Sequence, residues 1–449
     1  MEKSRILHRI IALFLFTVML LSAFPISSFA QIKKDTLPFP SVSGAKCIYL
    51  YNYESNSVIY CNVSSNREKI APASTVKIMT GLLALNMLEG RFDEQIALTE
   101  ELLSGIEGYT VKFEKDSVVT VKDLLYGLIC GGGNDAAVIL ARLCSGTVED
   151  FVSKMNEKAK EWGCLDTNYI NPTGIDAIGM TTSLHDTVII SKKAAESVEF
   201  IKMCSAQSYK YKPINSEIDK TIANRNAMIS SYSATGYKNS KVKGLNSGMT
   251  DMGGYCVSAF ATDGKSSYLC IVMGAVEISD GTILSYKIAN SLLNHAFENY
   301  SYDLIAQKGD KISELSVDLA LPTNGREEML VDCILSEDIY AYAPQGIDYK
   351  KGLTYKPFYY EDRLTAPVLA GTEVGGVDIY YGNALIASGK LVTENDVQAS
   401  ELLVSLHNMK SFLTSRIVIV FLVLITAFIF GCFITRKIKK KKFIKGRHK

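Results

Sequence analysis

Pro72-Ala73-Ser74-Thr75-Val76-Lys77 opens an apolar-rich run that continues to Leu88 and stops near Gly90. Such a run, closed by glycine, predicts a helix. On that helix Ser74 and Lys77 are three residues apart and share one face. A neutral lysine amine held there can take the proton of the serine hydroxyl and make it a nucleophile. The helix N-terminus also favours negative charge developing beside it. A serine at a helix start is equally an ordinary N-cap. Ser-x-x-Lys also occurs at Ser43/Lys46 and Ser240/Lys243, where no convincing helix opens. What separates these readings lies elsewhere in the chain.

Upstream, Cys47 to Tyr53 and Val58 to Cys61 read as two strands joined by a Glu-Ser-Asn-Ser turn. Downstream, residues 109–120 alternate apolar and polar like strands. Helical patterns follow at 121–129, 135–144 and 147–162, a tight loop at Asn171-Pro172-Thr173-Gly174, and a helix at about 183–195. Three strands with glycine-rich turns occupy 242–277, and a helix 281–298. Strands, a helical insertion, then strands closed by a helix predict an α/β sandwich, an antiparallel sheet covered by helices.

Three further stretches stand at ordered distances from Ser74. They are Asp123 to Leu128 running into Gly132-Gly133-Asn134-Asp135-Ala136-Ala137, then Asn171 to Asp176, then Val242 to Asp251 with Asn246-Ser247-Gly248-Met249 at its centre. Together with Pro72 to Thr80 these resemble the D-alanyl-D-alanine carboxypeptidases, the low-molecular-mass penicillin-binding proteins. The resemblance covers roughly residues 35–400. The family pattern is Ser-x-x-Lys, Ser-x-Asn, Lys-Thr-Gly.

The resemblance implies an α/β (α+β) catalytic domain like that of serine β-lactamases and penicillin-binding proteins. It also implies a small all-β domain and a C-terminal anchor. It implies a serine-type carboxypeptidase acting through a Ser74 acyl-enzyme on peptidoglycan stem peptides ending in D-Ala-D-Ala, with β-lactams as acylating inhibitors. Ser74 matches the nucleophile, Lys77 its base, and Asn134 the amide that positions Lys77 and the substrate. Ser247 matches the hydroxyl that binds the terminal carboxylate. Gly248 lets substrate approach the strand edge, and the N–H groups of Ser74 and Met249 match the oxyanion hole.

Two positions depart from the pattern. Gly132 stands where the family has a serine that relays a proton to the leaving nitrogen, and Asn246 stands where it has a lysine. Without that charge Lys77 is expected to hold its proton more readily and to be a poorer base near neutral pH. Lys241 and Lys243 face the other side of the strand from Asn246. Arg225, in Asn224-Arg225-Asn226, is a candidate for the missing cation, the alternative being a solvated loop arginine. Tyr126 and Tyr255 read as packing rather than as substrate stackers. The runner-up reading is a weak or silent relative that binds muropeptide or acts as a scaffold. A β-lactamase is disfavoured by the lack of a Glu-x-x-Leu-Asn segment between the second and third motifs.

The rest of the chain concerns compartment and partners. Lys3, Arg5 and Arg9, the apolar Ile10 to Leu21 and the small residues of Ser28-Phe29-Ala30 predict a signal peptide over 1–30. A catalytic domain is expected over 31–298, beginning in a linker at 31–43. A β-rich domain follows over 299–397, with strands at Glu314 to Leu321, Glu328 to Leu335, Leu353 to Tyr359, Val374 to Tyr381 and Ala384 to Val392. A helical stem is expected over 398–416. Ile417 to Ile434 is uncharged and spans roughly 27 Å as a helix, so a transmembrane helix is expected over 417–434 with the body outside. The tail 435–449 holds nine of the 48 basic residues and reads as positive-inside. That leaves 39 basic against 47 acidic side chains elsewhere, which argues against a nucleic-acid partner. The ten cysteines show no CxxC and no Cys/His pairing suited to zinc, so no metal or cofactor is expected.

Overall fold

The computed structural model describes residues 39–445 apart from 279, 323–324 and 346–350. The expected signal peptide, most of the linker and the end of the basic tail lie outside the described residues. The chain forms two compact units that divide after Tyr302.

The first unit is built on a five-stranded antiparallel sheet. Its order is Ser57–Cys61, Cys47–Asn52, Ser267–Ala275, Gly254–Thr262, Val242–Thr250. Every residue of Cys47–Asn52 is buried, as expected of an inner strand covered on both faces. Cys47, Tyr49 and Tyr51 belong to the core shared with the helical part. The helix Leu284–Asn299 packs on Gly254–Thr262 and Ser267–Ala275, where Phe297 meets Tyr268 edge-on at 4.7 Å. The helix Val76–Met87 runs through the middle of the helical part, touching Val121–Ile129, Asn134–Ser145, Leu184–Glu196 and Val198–Ser205. Met79, Ile78, Leu124, Leu128, Phe151 and Phe200 are fully enclosed there. Truncating either phenylalanine to alanine would cost about 3–5 kcal/mol.

Several helix starts are fixed by side-chain caps. Thr120 and Asp123 form a reciprocal capping box at the start of Val121–Ile129, and Ser183 caps Leu184–Glu196. The stretch 109–120 departs from expectation, because only Val118–Thr120 is a strand, paired with Gln95–Ala97. The Asp135 carboxylate accepts hydrogen bonds from the N–H groups of Val111 and Phe113, 3.1 Å each. Those donors are therefore lost to a ladder, and Lys112 turns to a φ of 66°. The alternation there marks a loop that buries Phe113. The short helix Val198–Ser205 and the hairpin of Ser208–Tyr211 with Lys220–Ala223 carried too little pattern to be read beforehand.

The second unit holds a six-stranded sheet in the order Leu353–Tyr359, Glu373–Tyr381, Ala384–Thr393, Met329–Leu335, Lys311–Asp318, Leu364–Thr365. Its core includes Val331, Cys333, Leu335, Val377, Ile379 and Leu391. Tyr300–Ala306 and Ile339–Pro344 pair as two further strands not read from the sequence. Helices Glu401–Thr414 and Arg416–Lys445 follow. Among the described residues no single helix is long and apolar enough to cross a membrane. Glu401–Thr414 with Arg416–Gly431, bent by 51° between them, pass that test together by length and composition.

Candidate active site

Ser74 sits in a single 3-10 turn, Ala73–Thr75, at the head of Val76–Met87. Ala73 has a φ of 49°, an unusual conformation for a residue with a Cβ and one that costs about 1–3 kcal/mol. The loop Asn171 to Gly174 packs directly behind it. Asn171 Oδ1 accepts from the N–H groups of Thr173 and Gly174, closing the loop on itself. Gly174 has a φ of +83°, and a Cβ there would lie 2.2 Å from the Ala73 carbonyl oxygen, so only glycine allows this approach.

Lys77, one turn along the helix, is 3% exposed. Its Nζ lies 3.1 Å from Ser74 Oγ and donates to the Thr173 carbonyl at 2.6 Å. Burial first, and the charge of Arg225 second, push the Lys77 ammonium down from 10.5 to about 7. At neutral pH about half the molecules therefore hold a neutral amine, with a lone pair for the Ser74 proton. Asn246 brings no charge, and enclosure and Arg225 lower the group without it.

Arg225 reaches the cleft because its neighbours lock the loop. Asn224 Nδ2 donates to the carbonyls of Cys204 and Ala206, and Asn226 Oδ1 accepts from the Met228 N–H. The exposed Arg225 guanidinium lies 3.7 Å over the Tyr109 ring. Lys241 Nζ lies 4.4 Å over Phe297, on the helix that covers the sheet, and Lys243 Nζ donates to the Ser240 carbonyl.

Asn134 opens the helix Asn134–Ser145. Its Nδ2 donates to the Glu107 carbonyl and its N–H to the Tyr109 carbonyl, both at 2.8 Å. These bonds tie Asn134 to the 107–109 loop, and its Oδ1 is the acceptor that the side-chain amide can offer to Lys77 or to a ligand N–H. Gly132 has a φ of +68°, while a Cβ there would meet nothing nearer than the Arg225 side chain at 3.6 Å. Space for a side chain exists at 132; the backbone conformation is what favours glycine.

Val242–Thr250 is an edge strand of the sheet, so part of its backbone is free of strand partners and can face a ligand. Asn246 is 7% exposed, and its Oδ1 is buried without a hydrogen-bond partner among the described residues. Ser247 Oγ lies 2.6 Å from the Tyr286 hydroxyl. A Cβ on Gly248 would lie 2.4 Å from Ser74 Cβ and 2.7 Å from its Oγ. The glycine therefore makes room for the serine as well as for a ligand. Met249 is half exposed at the rim. Tyr126 stacks on Tyr209 at 3.8 Å, as a packing residue should.

All nine residues singled out from the sequence, Ser74, Lys77, Gly132, Asn134, Arg225, Asn246, Ser247, Gly248 and Met249, line one cleft of about 170 Å³. Tyr109 and Thr173 line it too and were not foreseen. The Asn-Pro-Thr-Gly turn was a visible signal for Thr173, but nothing local says that its carbonyl meets a lysine 96 residues away. A hydroxyl 3.1 Å from a half-neutral amine, beside a guanidinium and an open strand edge, is suited to acyl transfer from a ligand carrying a carboxylate.

Comparison with known proteins agrees with this chemistry. Residues 35–277 match the family model described as D-alanyl-D-alanine carboxypeptidase, and residues 300–399 the one described as penicillin-binding protein 5, C-terminal domain. The chain is 27% identical over 395 residues to D-alanyl-D-alanine carboxypeptidase DacF of Bacillus subtilis, covering 87% of this chain and 95% of that one. The crystal structure of D-alanyl-D-alanine carboxypeptidase DacD from Francisella tularensis superposes with a TM-score of 0.62 at 20% identity, covering 82% of this chain and 97% of that one. Penicillin binding protein 5 from Haemophilus influenzae gives 0.56 at 24% identity, covering 81% and 100%. At these identities the two structures speak for the fold.

Proposed function

The chain belongs to the D-alanyl-D-alanine carboxypeptidase family, and from that premise we propose that it removes the terminal D-alanine from peptidoglycan stem peptides ending in D-Ala-D-Ala. The observation that carries this is the Ser74–Lys77 pair, 3.1 Å apart with the amine pushed down to about 7. Lys77 takes the Ser74 proton as Oγ attacks the carbonyl carbon of the penultimate D-alanine. The N–H groups of Ser74 and Met249 hold the oxyanion. The C–N bond then breaks, the leaving nitrogen takes a proton, and an ester joins the peptide to Ser74. Gly132 offers no hydroxyl for that proton, so the Lys77 ammonium is its donor. Water, activated by the neutral Lys77 amine, cleaves the ester. Arg225 and Ser247 bind the terminal carboxylate, and β-lactams acylate Ser74 in the same way.

The same reading makes the chain an exported protein held to the membrane by its C-terminal end. The uncharged run Ile417 to Ile434 followed by basic residues supports it, as does the bent helix pair.

Release of D-alanine from a peptide ending in Lys-D-Ala-D-Ala, by wild type but not by Ser74→Ala, tests the proposal. A second reading, a slow or silent muropeptide-binding relative, is favoured by the missing hydroxyl at Gly132 and the unpartnered Asn246 Oδ1. Loss of a proton relay typically costs 10²–10⁴-fold. Tight peptide binding without D-alanine release would select it.

A further inference from the structure

Tyr286 is buried, lies in the helix Leu284–Asn299, and belongs to none of the three motifs. Its hydroxyl accepts a hydrogen bond from the Ala227 N–H at 3.3 Å and lies 2.6 Å from Ser247 Oγ. An N–H can only donate, so the phenolic oxygen is the acceptor in the first bond. Either hydroxyl can donate across the Tyr286–Ser247 pair, and the phenolic proton can go to Ser247 Oγ. With the phenol as donor, the Ser247 proton is free to turn elsewhere, and Ser247 lines the cleft beside Arg225. A neighbouring cavity of about 150 Å³ is lined by Tyr286, Ser247 and Arg225 together. Burial keeps the phenol protonated and so a donor, its pKa being raised. Ala227 also ends the Asn224-Arg225-Asn226 loop, so one hydroxyl ties the third motif to the loop that carries the cleft's guanidinium.

We propose that Tyr286 is a positioning residue: it polarises Ser247 so that this hydroxyl donates into the cleft, and it fixes the Arg225 loop, so that both meet the carboxylate of the ligand. This rests on the proposed function, in which Ser247 and Arg225 hold that carboxylate. It also gives Tyr286 a selective role, since a ligand without the negative charge gains little from either group.

The test compares Tyr286→Phe with wild type in the full-length protein in detergent. It uses two acylating probes, a penicillin and the same penicillin as its methyl ester. The expected result is a 3- to 10-fold loss of the second-order acylation rate with the penicillin, about the worth of one hydrogen bond. Less than a twofold change is expected with the ester. Ser247→Ala is expected to show the same selectivity, and the double variant to lose no more than the larger single loss, because the two act as one unit. Equal losses on both probes, or losses that multiply in the double variant, would overturn the inference. If neither probe acylates wild type, the proposed function fails on its own. Calorimetric binding of a peptide ending in D-Ala-D-Ala, against its C-terminal amide, then decides the role of Tyr286. Wild type should prefer the free carboxylate and Tyr286→Phe should lose that preference. An unchanged preference would refute the role.

Discussion

Replacing Asn246 by lysine restores the charge that the family carries, and the structure limits what this can achieve. Asn246 is enclosed in the cleft with Lys77 and Arg225. A second cation there disfavours the charged form of Lys77 and lowers its pKa further, by about one pH unit for a near neighbour. Starting from about 7, the neutral fraction at pH 7 is already about one half, and lowering the pKa to about 6 raises it to about 0.9. The gain at pH 7 is therefore about twofold. At pH 5.5 the neutral fraction rises from about 0.03 to about 0.24, a gain of about eightfold. Stronger binding of a carboxylate multiplies both by one common factor, because that carboxylate is ionised at both pH values. The ratio of the two gains, about four, thus isolates the effect on Lys77. The assay is the second-order rate of acylation by a fluorescent penicillin at pH 5.5, 7 and 8.5, on protein shown by thermal unfolding to be folded at each. A gain that is equal at all three pH values would refute the claim that Lys77 is the group sensing the charge. A large gain confined to pH 8.5 would reverse its sign.

Other perturbations follow from the same geometry. In wild type the acylation rate should rise with pH through a midpoint near 7, because Lys77 acts when neutral and is neutral above its pKa. Arg225→Gln removes the second cause of the lowering but not burial, so the midpoint should move up by about one unit; that alone gives about a fivefold loss at pH 7, and the lost carboxylate contact adds a further loss at every pH. An unmoved midpoint would exclude Arg225 as the influential charge. Gly248→Ala puts a Cβ 2.4 Å from that of Ser74, and acylation should fall at least about 100-fold in a folded protein. Gly132→Ser has room for its side chain but must hold a φ of +68°, so the Tm of the first unit should drop by about 2–8 °C whatever its effect on rate.

Local chemistry was legible where one element carries it. Ser74 and Lys77 lie one helical turn apart, so their spacing alone brought them to one face. Asn246, Ser247 and Gly248 were likewise legible as three consecutive residues of one strand, Val242–Thr250, that match the family's third motif. Partners brought together by tertiary folding were not legible. Thr173 meets Lys77 across 96 residues and Tyr286 meets Ser247 across 39, through a carbonyl and a hydroxyl that carry no pattern of their own. The same limit explains 109–120, where alternation read as strand is a loop held by the Asp135 carboxylate. The size of the Lys77 shift was out of reach for a related reason. Charge content can be counted along a chain, whereas the enclosure that dominates its pKa exists only in the fold.

The central claim is that Ser74, activated by Lys77, is the nucleophile. Peptide mass mapping after prolonged exposure to penicillin tests it most directly. The expected result is a penicilloyl adduct on the tryptic peptide Ile70 to Lys77, absent from Ser74→Ala. An adduct on any other peptide, or an unmodified Ser74 at saturating penicillin, would contradict it.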